Sequence, residues 1–291
     1  MTIPSQYSDA PTTARAIRDR LSNSYTLRGA TLDRRLRTMA NMVVAQMLAD
    51  AAIKGGTGLN ARLGPEASRF SGDLDASRLR GVSEDAYLKV LGAALKAGWA
   101  GFEGTAVRPP KRPLARVPDQ YVMLPVKVVL SYRKSKFDTV RLELSLDEIG
   151  SVSGATAAIN PSIVEMFTRV GLDAPQPIPA ISLEHQIAQK IHACTTPNAL
   201  GLNERAHDLV DLQLLYDAGT IDMAEMGRMC QRLTSFRRRG TWPPVLVAPG
   251  RWERRYDDAA TGLPVLSLSD AVAWLNDLIS AAETARINSA G

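Results

Sequence analysis

Apolar residues recur at steps of three and four from Thr31 onward, at Leu32, Leu36, Met39, Val43, Met47 and Ala51, which predicts a helix opening near Thr31. A second helix is expected after Ser83, a capping residue, with Leu88, Leu91 and Leu95 on one side and Gly98 as its stop. The period then changes to two. Val122, Leu124, Val126, Val128 and Leu130 share one face of a strand over 121–132, and Val140, Leu142, Leu144 and Leu146 share one over 139–146. Pro125 has no N–H to give a ladder, so it predicts an edge position for the first of these strands. Past about residue 158 the alternation stops. Asn160-Pro161 opens a helix that ends near Gly171, and Ser182 opens another with Leu183, Ile187, Ile191 and Cys194 inward. A helix from Asn203 carries Leu209, Leu212 and Tyr216, and a last one begins near Ser269 or Asp270 and carries Val272, Trp274, Leu275, Leu278 and Ile279. Residues 1–30 form a polar arm with one helix around Arg15–Leu21, and Arg108-Pro-Pro-Lys-Arg-Pro is a loop. The expected architecture is α+β: a mixed-sheet half over 1–158, then a mainly helical half over 159–291.

Composition narrows the function classes. The 291 residues are 45% hydrophobic, enough for one large or two moderate cores. No apolar run approaches the ~20 residues of a membrane helix, and the opening Met-Thr-Ile-Pro-Ser-Gln lacks the basic and apolar regions of a signal peptide. A cytoplasmic location without membrane contact is expected. Cys194 and Cys230 stand outside any C-x-x-C spacing and read as free thiols, and the three histidines, His185, His192 and His207, form no zinc pattern with them. A required metal would therefore be an oxygen-bound Mg²⁺ or Mn²⁺. The net charge of +5 is unevenly spread, with arginines gathered near the N-terminus, around 108–116 and over 232–255. In that last stretch aromatics alternate with guanidinium groups, which suits a nucleic-acid backbone with stacked bases and makes Arg237, Arg238, Arg239 and Trp242 candidate RNA contacts. A solvated surface with snorkelling arginines is the plainer alternative.

The strongest chemical signal spans residues 54–75. A glycine turn, Gly55-Gly56-Thr57, precedes Asp73-Leu74-Asp75 by about eighteen positions, with Arg69-Phe70-Ser71 just before the aspartates. Glycines followed by a hydroxyl let backbone N–H groups close on phosphate oxygens. An extended Asp-x-Asp places both carboxylates on one strand face, where they can hold Mg²⁺ against a triphosphate. Glu143 projects from the polar face of its own strand. If that strand neighbours the Asp73-x-Asp75 strand, Glu143 is a third metal carboxylate, with Asp147 close enough in sequence to compete.

Taken in order, Lys54-Gly-Gly-Thr57, Arg69-Phe-Ser-Gly-Asp-Leu-Asp75, Glu184 to Lys190 and Arg205-Ala-His-Asp-Leu-Val-Asp211 resemble the four-motif pattern of the AbiEii/AbiGii nucleotidyltransferase toxins, the group to which the mycobacterial MenT toxins belong. The resemblance covers roughly residues 40–216. It implies a polymerase-β-like nucleotidyltransferase lobe joined to a helical lobe, acting as the toxin of a toxin–antitoxin pair with a cognate antitoxin. The implied reaction moves a nucleoside monophosphate from a nucleoside triphosphate to an RNA 3′ end, notably the tRNA acceptor end, and blocks translation. Carried over residue by residue, Gly55, Gly56 and Thr57 cradle phosphate, Asp73 and Asp75 bind metal, and Lys190 contacts the nucleotide phosphates. Asp208 and Asp211 fill the last motif, with Asp211 the catalytic one. Arg69 and Ser71 are further candidates for the nucleotide site, where Arg69 either binds phosphate or balances Asp73 and Asp75. Two alternatives stay open: transfer to a protein hydroxyl on the same fold, and a noncatalytic nucleic-acid-binding module. The retained carboxylates argue against the second, since without metal they would repel a phosphate backbone.

Overall fold

The computed structural model describes residues 7, 9–110, 123–197 and 201–289. The chain divides into two compact units. The first comprises Met1–Glu66, Phe70–Asp147 and Ala155–Ala180, and the second Ala67–Arg69, Glu148–Gly154 and Ile181–Gly291.

Among the described residues the first unit carries the sheet and five helices: α1 (Ala14–Ser24), α2 (Gly29–Gln46), β1 (Ala51–Lys54), α3 (Gly55–Leu63), β2 (Leu74–Arg78), α4 (Glu84–Ala97), β3 (Phe102–Val107), β4 (Leu124–Tyr132), β5 (Ser135–Leu146), β6 (Thr156–Ala158), α5 (Pro161–Arg169) and β7 (Ile178–Ala180). The seven strands run in the order β3-β4-β5-β2-β1-β7-β6. The pairs β1–β7 and β2–β5 are parallel and the other four antiparallel, so the sheet is mixed. Its core joins Met39 and Val43 of α2, Leu91 and Leu95 of α4, and the buried faces of β4 and β5. Burial alternates along β4 from Leu124 to Leu130, so the period-two reading holds there.

The second unit is helical: α6 (Leu183–Thr195), α7 (Ala206–Tyr216), α8 (Met223–Arg237), α9 (Trp252–Ala260) and α10 (Leu268–Asn288). Ile187, Ile191, Leu209, Leu212, Met226, Leu233, Leu275 and Ile279 fill its interior. The caps at Ser83, Asn160 and Ser182 form as the sequence predicts, each side-chain oxygen accepting a first-turn N–H. Among the described residues no helix is long and apolar enough to cross a membrane.

The α+β expectation stands, with corrections in detail. Thr31 lies inside α2, whose N-cap position is Arg28, and α2 stops at Gln46. Ala51 belongs to β1 instead, because a buried alanine satisfies either period. Strands β1, β6 and β7, of four, three and three residues, are too short to alternate visibly. Since β7 pairs with β1, residues 155–180 pack with the sheet, although the hydrophobic pattern changes at 158. Strand β4 is not at an edge but between β3 and β5. Pro125 is accommodated because the β3 ladder ends at Val107↔Lys127, leaving Pro125 opposite Glu143 of β5 alone. The last helix starts at Leu268, with Ser267 as its cap, slightly before the expected Ser269 or Asp270. Residues 111–122, which include Val122 and most of the proline-rich basic run, lie outside the described residues.

Candidate active site

In the first unit, β1 ends in Lys54 and the chain enters α3 directly through Gly55 and Gly56. Gly55 sits at φ +59°, and a Cβ there would lie 2.2 Å from Oδ2 of Asp75. A Cβ on Gly56 would come within 2.5 Å of the Ser71 Cβ. The glycine pair thus exists partly to let the segment 71–75 close down on the start of α3. That start also presents first-turn N–H groups, the usual place for an anion. Thr57 is buried, and its hydroxyl donates to the Asp73 carbonyl at 3.0 Å, as the Ser71 hydroxyl does at 3.2 Å. Both hydroxyls hold the aspartate segment in place, a use the motif alone does not reveal.

The register then aligns the charges. Lys54 is opposite Asp75 across the antiparallel β1–β2 pair, and Asp75 is opposite Glu143 across the parallel β2–β5 pair, so the three side chains share one sheet face in a row. Burial first, then the charges of Asp75 and Asp73, push the Glu143 carboxyl upward from its ordinary pKa, while Lys54 and Arg141 oppose this. Asp147 follows the far end of β5, where its N–H donates to the Arg78 carbonyl, three positions along the ladder from Asp75. Of the two competing acids, Glu143 is therefore the neighbour of Asp75. Arg141 Nη1 approaches Asp73 Oδ1 at 4.0 Å from an exposed position.

Among the described residues no three His, Cys, Asp or Glu side chains converge closely enough to hold a metal ion by themselves. The donor set nevertheless fits Mg²⁺, which is commonly held by one or two carboxylates with water and substrate phosphates completing the shell.

The second unit holds a separate charge cluster. Lys190 of α6, only 5% exposed, donates to Asp208 Oδ1 at 2.8 Å and to Asp211 Oδ2 at 2.6 Å, both on α7. Arg69 grips Asp211 through Nε and Nη2, each at 2.8 Å, and Arg205 Nε reaches Asp208 at 2.6 Å. Burial alone would raise the Asp208 pKa, but Lys190, Arg205 and His207 together outweigh it and hold the carboxyl well below its usual range. At Lys190 burial likewise opposes the charge, and Asp208 and Asp211 overcome it to raise the pKa. Lys190 is thus an internal ammonium, not the solvated lysine that its place beside an apolar stripe suggests.

Residues 37–278 match the family described as Nucleotidyl transferase AbiEii toxin, Type IV TA system. The chain belongs to this family. Membership makes it a nucleotidyltransferase toxin of a type IV toxin–antitoxin system and implies an antitoxin partner. Among solved structures, MenT4, a nucleotidyltransferase toxin from Mycobacterium tuberculosis, is similar at 19% identity and a TM-score of 0.48, over 92% of this chain and 99% of its own. JHP933 from Helicobacter pylori is similar at 16% identity and a TM-score of 0.43, over 87% and 92% of the two chains. No curated protein matches.

The basic stretch of this AbiEii toxin is partly spent on its own structure. Arg237 is bound to Glu148 at 2.9 and 2.6 Å and contacts His192, and Trp242 Nε1 donates to Glu283 at 2.7 Å. Arg239 donates to the Pro197 carbonyl, while Arg238 is exposed in a left-handed helix-ending conformation. Trp252 and Tyr256 are fully buried and cannot stack on bases, which corrects the interleaved-aromatic reading for residues 251–256. What sequence reasoning passed over is Lys54 as a side chain in its own right, and the Glu148–Arg237–His192 network, whose members lie too far apart in the chain to form a motif.

Proposed function

We propose that this toxin transfers a nucleoside monophosphate from a nucleoside triphosphate to the 3′-hydroxyl of an RNA, at the acceptor end of tRNA, and so blocks translation in the cytoplasm. The observation that carries the reading is the close packing of the glycine turn, at the start of a helix, against an aspartate segment whose carboxylate is in register with Glu143. Phosphate oxygens meet the first-turn N–H groups of α3, positioned by Gly55, Gly56 and Thr57. Mg²⁺ or Mn²⁺ held by one or two carboxylates of the set Asp73, Asp75 and Glu143, with water and phosphate oxygens completing the shell, would neutralise charge on the α-phosphate and favour the ionised acceptor hydroxyl. Ser71 and Thr57 keep Asp73 aimed by fixing its carbonyl. Lys190 serves phosphate oxygens as an ammonium kept charged by Asp208 and Asp211, and Arg69 keeps Asp211 in place. Exposed arginines such as Arg238 supply sequence-independent attraction for the RNA backbone.

The test is to incubate the protein and its Asp73→Ala variant with total cellular RNA, Mg²⁺ and each α-labelled nucleoside triphosphate in turn. Label entering small RNA only with the unaltered protein is the expected result, and the best-labelled nucleotide gives the base preference. Label on protein would replace RNA with a protein acceptor. No label on either, with RNA still bound, would leave a noncatalytic nucleic-acid-binding module.

A further inference from the structure

Lys54 lies on β1, yet its ammonium donates at 2.7 Å to the Ser145 hydroxyl on β5, two strands away. Neighbouring strands are about 4.8 Å apart, so the side chain has to stretch across the whole width of β2. Its path is bounded on one side by the Asp75–Glu143 pair and on the other by Ser77 and Ser145, which lie opposite each other with hydroxyls 3.1 Å apart. The lysine is 7% exposed, and it stands opposite Asp75, which stands opposite Glu143. A buried ammonium tethered at its tip cannot swing away as a surface lysine does.

We propose, resting on the metal-holding assignment of Asp73, Asp75 and Glu143 above, that Lys54 is a positioning residue acting through those carboxylates: a resident cation that offsets the charge of the row before any divalent ion arrives and so sets how strongly that ion is held. Against three carboxylates, one fixed ammonium leaves a row that a single divalent ion neutralises. The exposed Arg141, screened by solvent, adds little to this balance. Loss of the ammonium leaves the row more negative, so a divalent ion is bound more tightly. A lysine that merely filled space would produce the opposite, because disturbing the row would loosen the ion.

The experiment is a titration of the full chain with Mn²⁺ alone, following the free ion by electron paramagnetic resonance up to millimolar concentration. Lys54→Gln keeps an N–H donor for Ser145 and removes only the charge, and Lys54→Met removes both. Thermal melting confirms that each variant is folded before titration. Both variants are expected to bind Mn²⁺ about tenfold more tightly than the unaltered protein, the scale of one charge acting over several ångströms in a half-buried site. Unchanged or weaker binding, tightening confined to one variant, or no binding by any of the three proteins overturns the inference. The titration contains neither nucleotide nor RNA. Tightened Mn²⁺ binding without transfer to RNA would therefore remove the proposed acceptor and leave the role of Lys54 standing, whereas transfer with unchanged Mn²⁺ binding would do the reverse.

Discussion

Asp75 and Glu143 lie half-buried on neighbouring strands, with Glu143 pushed up by burial and by the charges of Asp75 and Asp73. Asp208 and Asp211 are almost wholly buried, and each is held by two cationic side chains at 2.8 Å or less. The same residue type thus serves two ends. Burial and neighbouring acids raise Glu143 beside Asp75, whereas the carboxylates matched by Lys190, Arg69 and Arg205 hold those cations in place and are held in their ionised form.

The difference can be broken most forcefully in the helical unit. Asp211→Ala leaves Lys190 and Arg69 facing a hole, and a loss of about 3–5 kcal/mol is expected in urea unfolding. If stability barely moves, the cluster is not the structural anchor described. Next is the sheet unit, where Asp75→Ala is expected to cut transfer about 100- to 1,000-fold while the melting temperature stays level or rises. A large fall in melting temperature would put Asp75 on the same footing as Asp211.

Acid should separate the units again. Burial, aided by Arg237, holds His192 down at about 4, against a partial pull upward from Glu148 and from its bond to the Arg239 carbonyl. The folded protein therefore keeps a neutral imidazole while the unfolded chain takes up a proton near 6.5. Stability from this group is intact above 6.5 and drains as pH falls toward 4, by roughly 2–3 kcal/mol in all. His192→Gln should flatten that stretch of a stability-against-pH curve, and an unchanged slope would sink the assignment. The smallest effect is expected from Glu143→Gln. Relieving repulsion in a half-exposed row should stabilise the metal-free protein by about 1 kcal/mol or less, measurable as a raised melting temperature that Mn²⁺ no longer increases.

Much of this was legible in the chain because it is local. Caps at Ser83, Asn160 and Ser182 depend on side chains that reach only two or three residues, and the faces of β4 and β5 depend on a period of two. The orientation of Glu143 was equally plain, but its neighbour was not, since strand order is a long-range fact that only the parallel β2–β5 pairing supplies. The same limit hid the aromatic residues of α9. Trp252 and Tyr256 alternate with arginines in sequence, yet a helix turns both inward, where Gln213 and the Asn203 carbonyl take their polar tips. The carboxylates that bury with Lys190 stand 18 and 21 residues away, beyond the reach of any local pattern.

The contact between Gly55 and the Asp75 carboxylate has an evolutionary corollary. A Cβ at position 55 would crowd Oδ2 of Asp75, so a side chain there, already strained by the left-handed backbone, displaces the carboxylate unless position 75 has first shortened. Lineages that abandon the chemistry should lose the aspartate first and the glycine second, so decayed descendants with both changed, or with the aspartate alone changed, should outnumber those with the glycine alone changed.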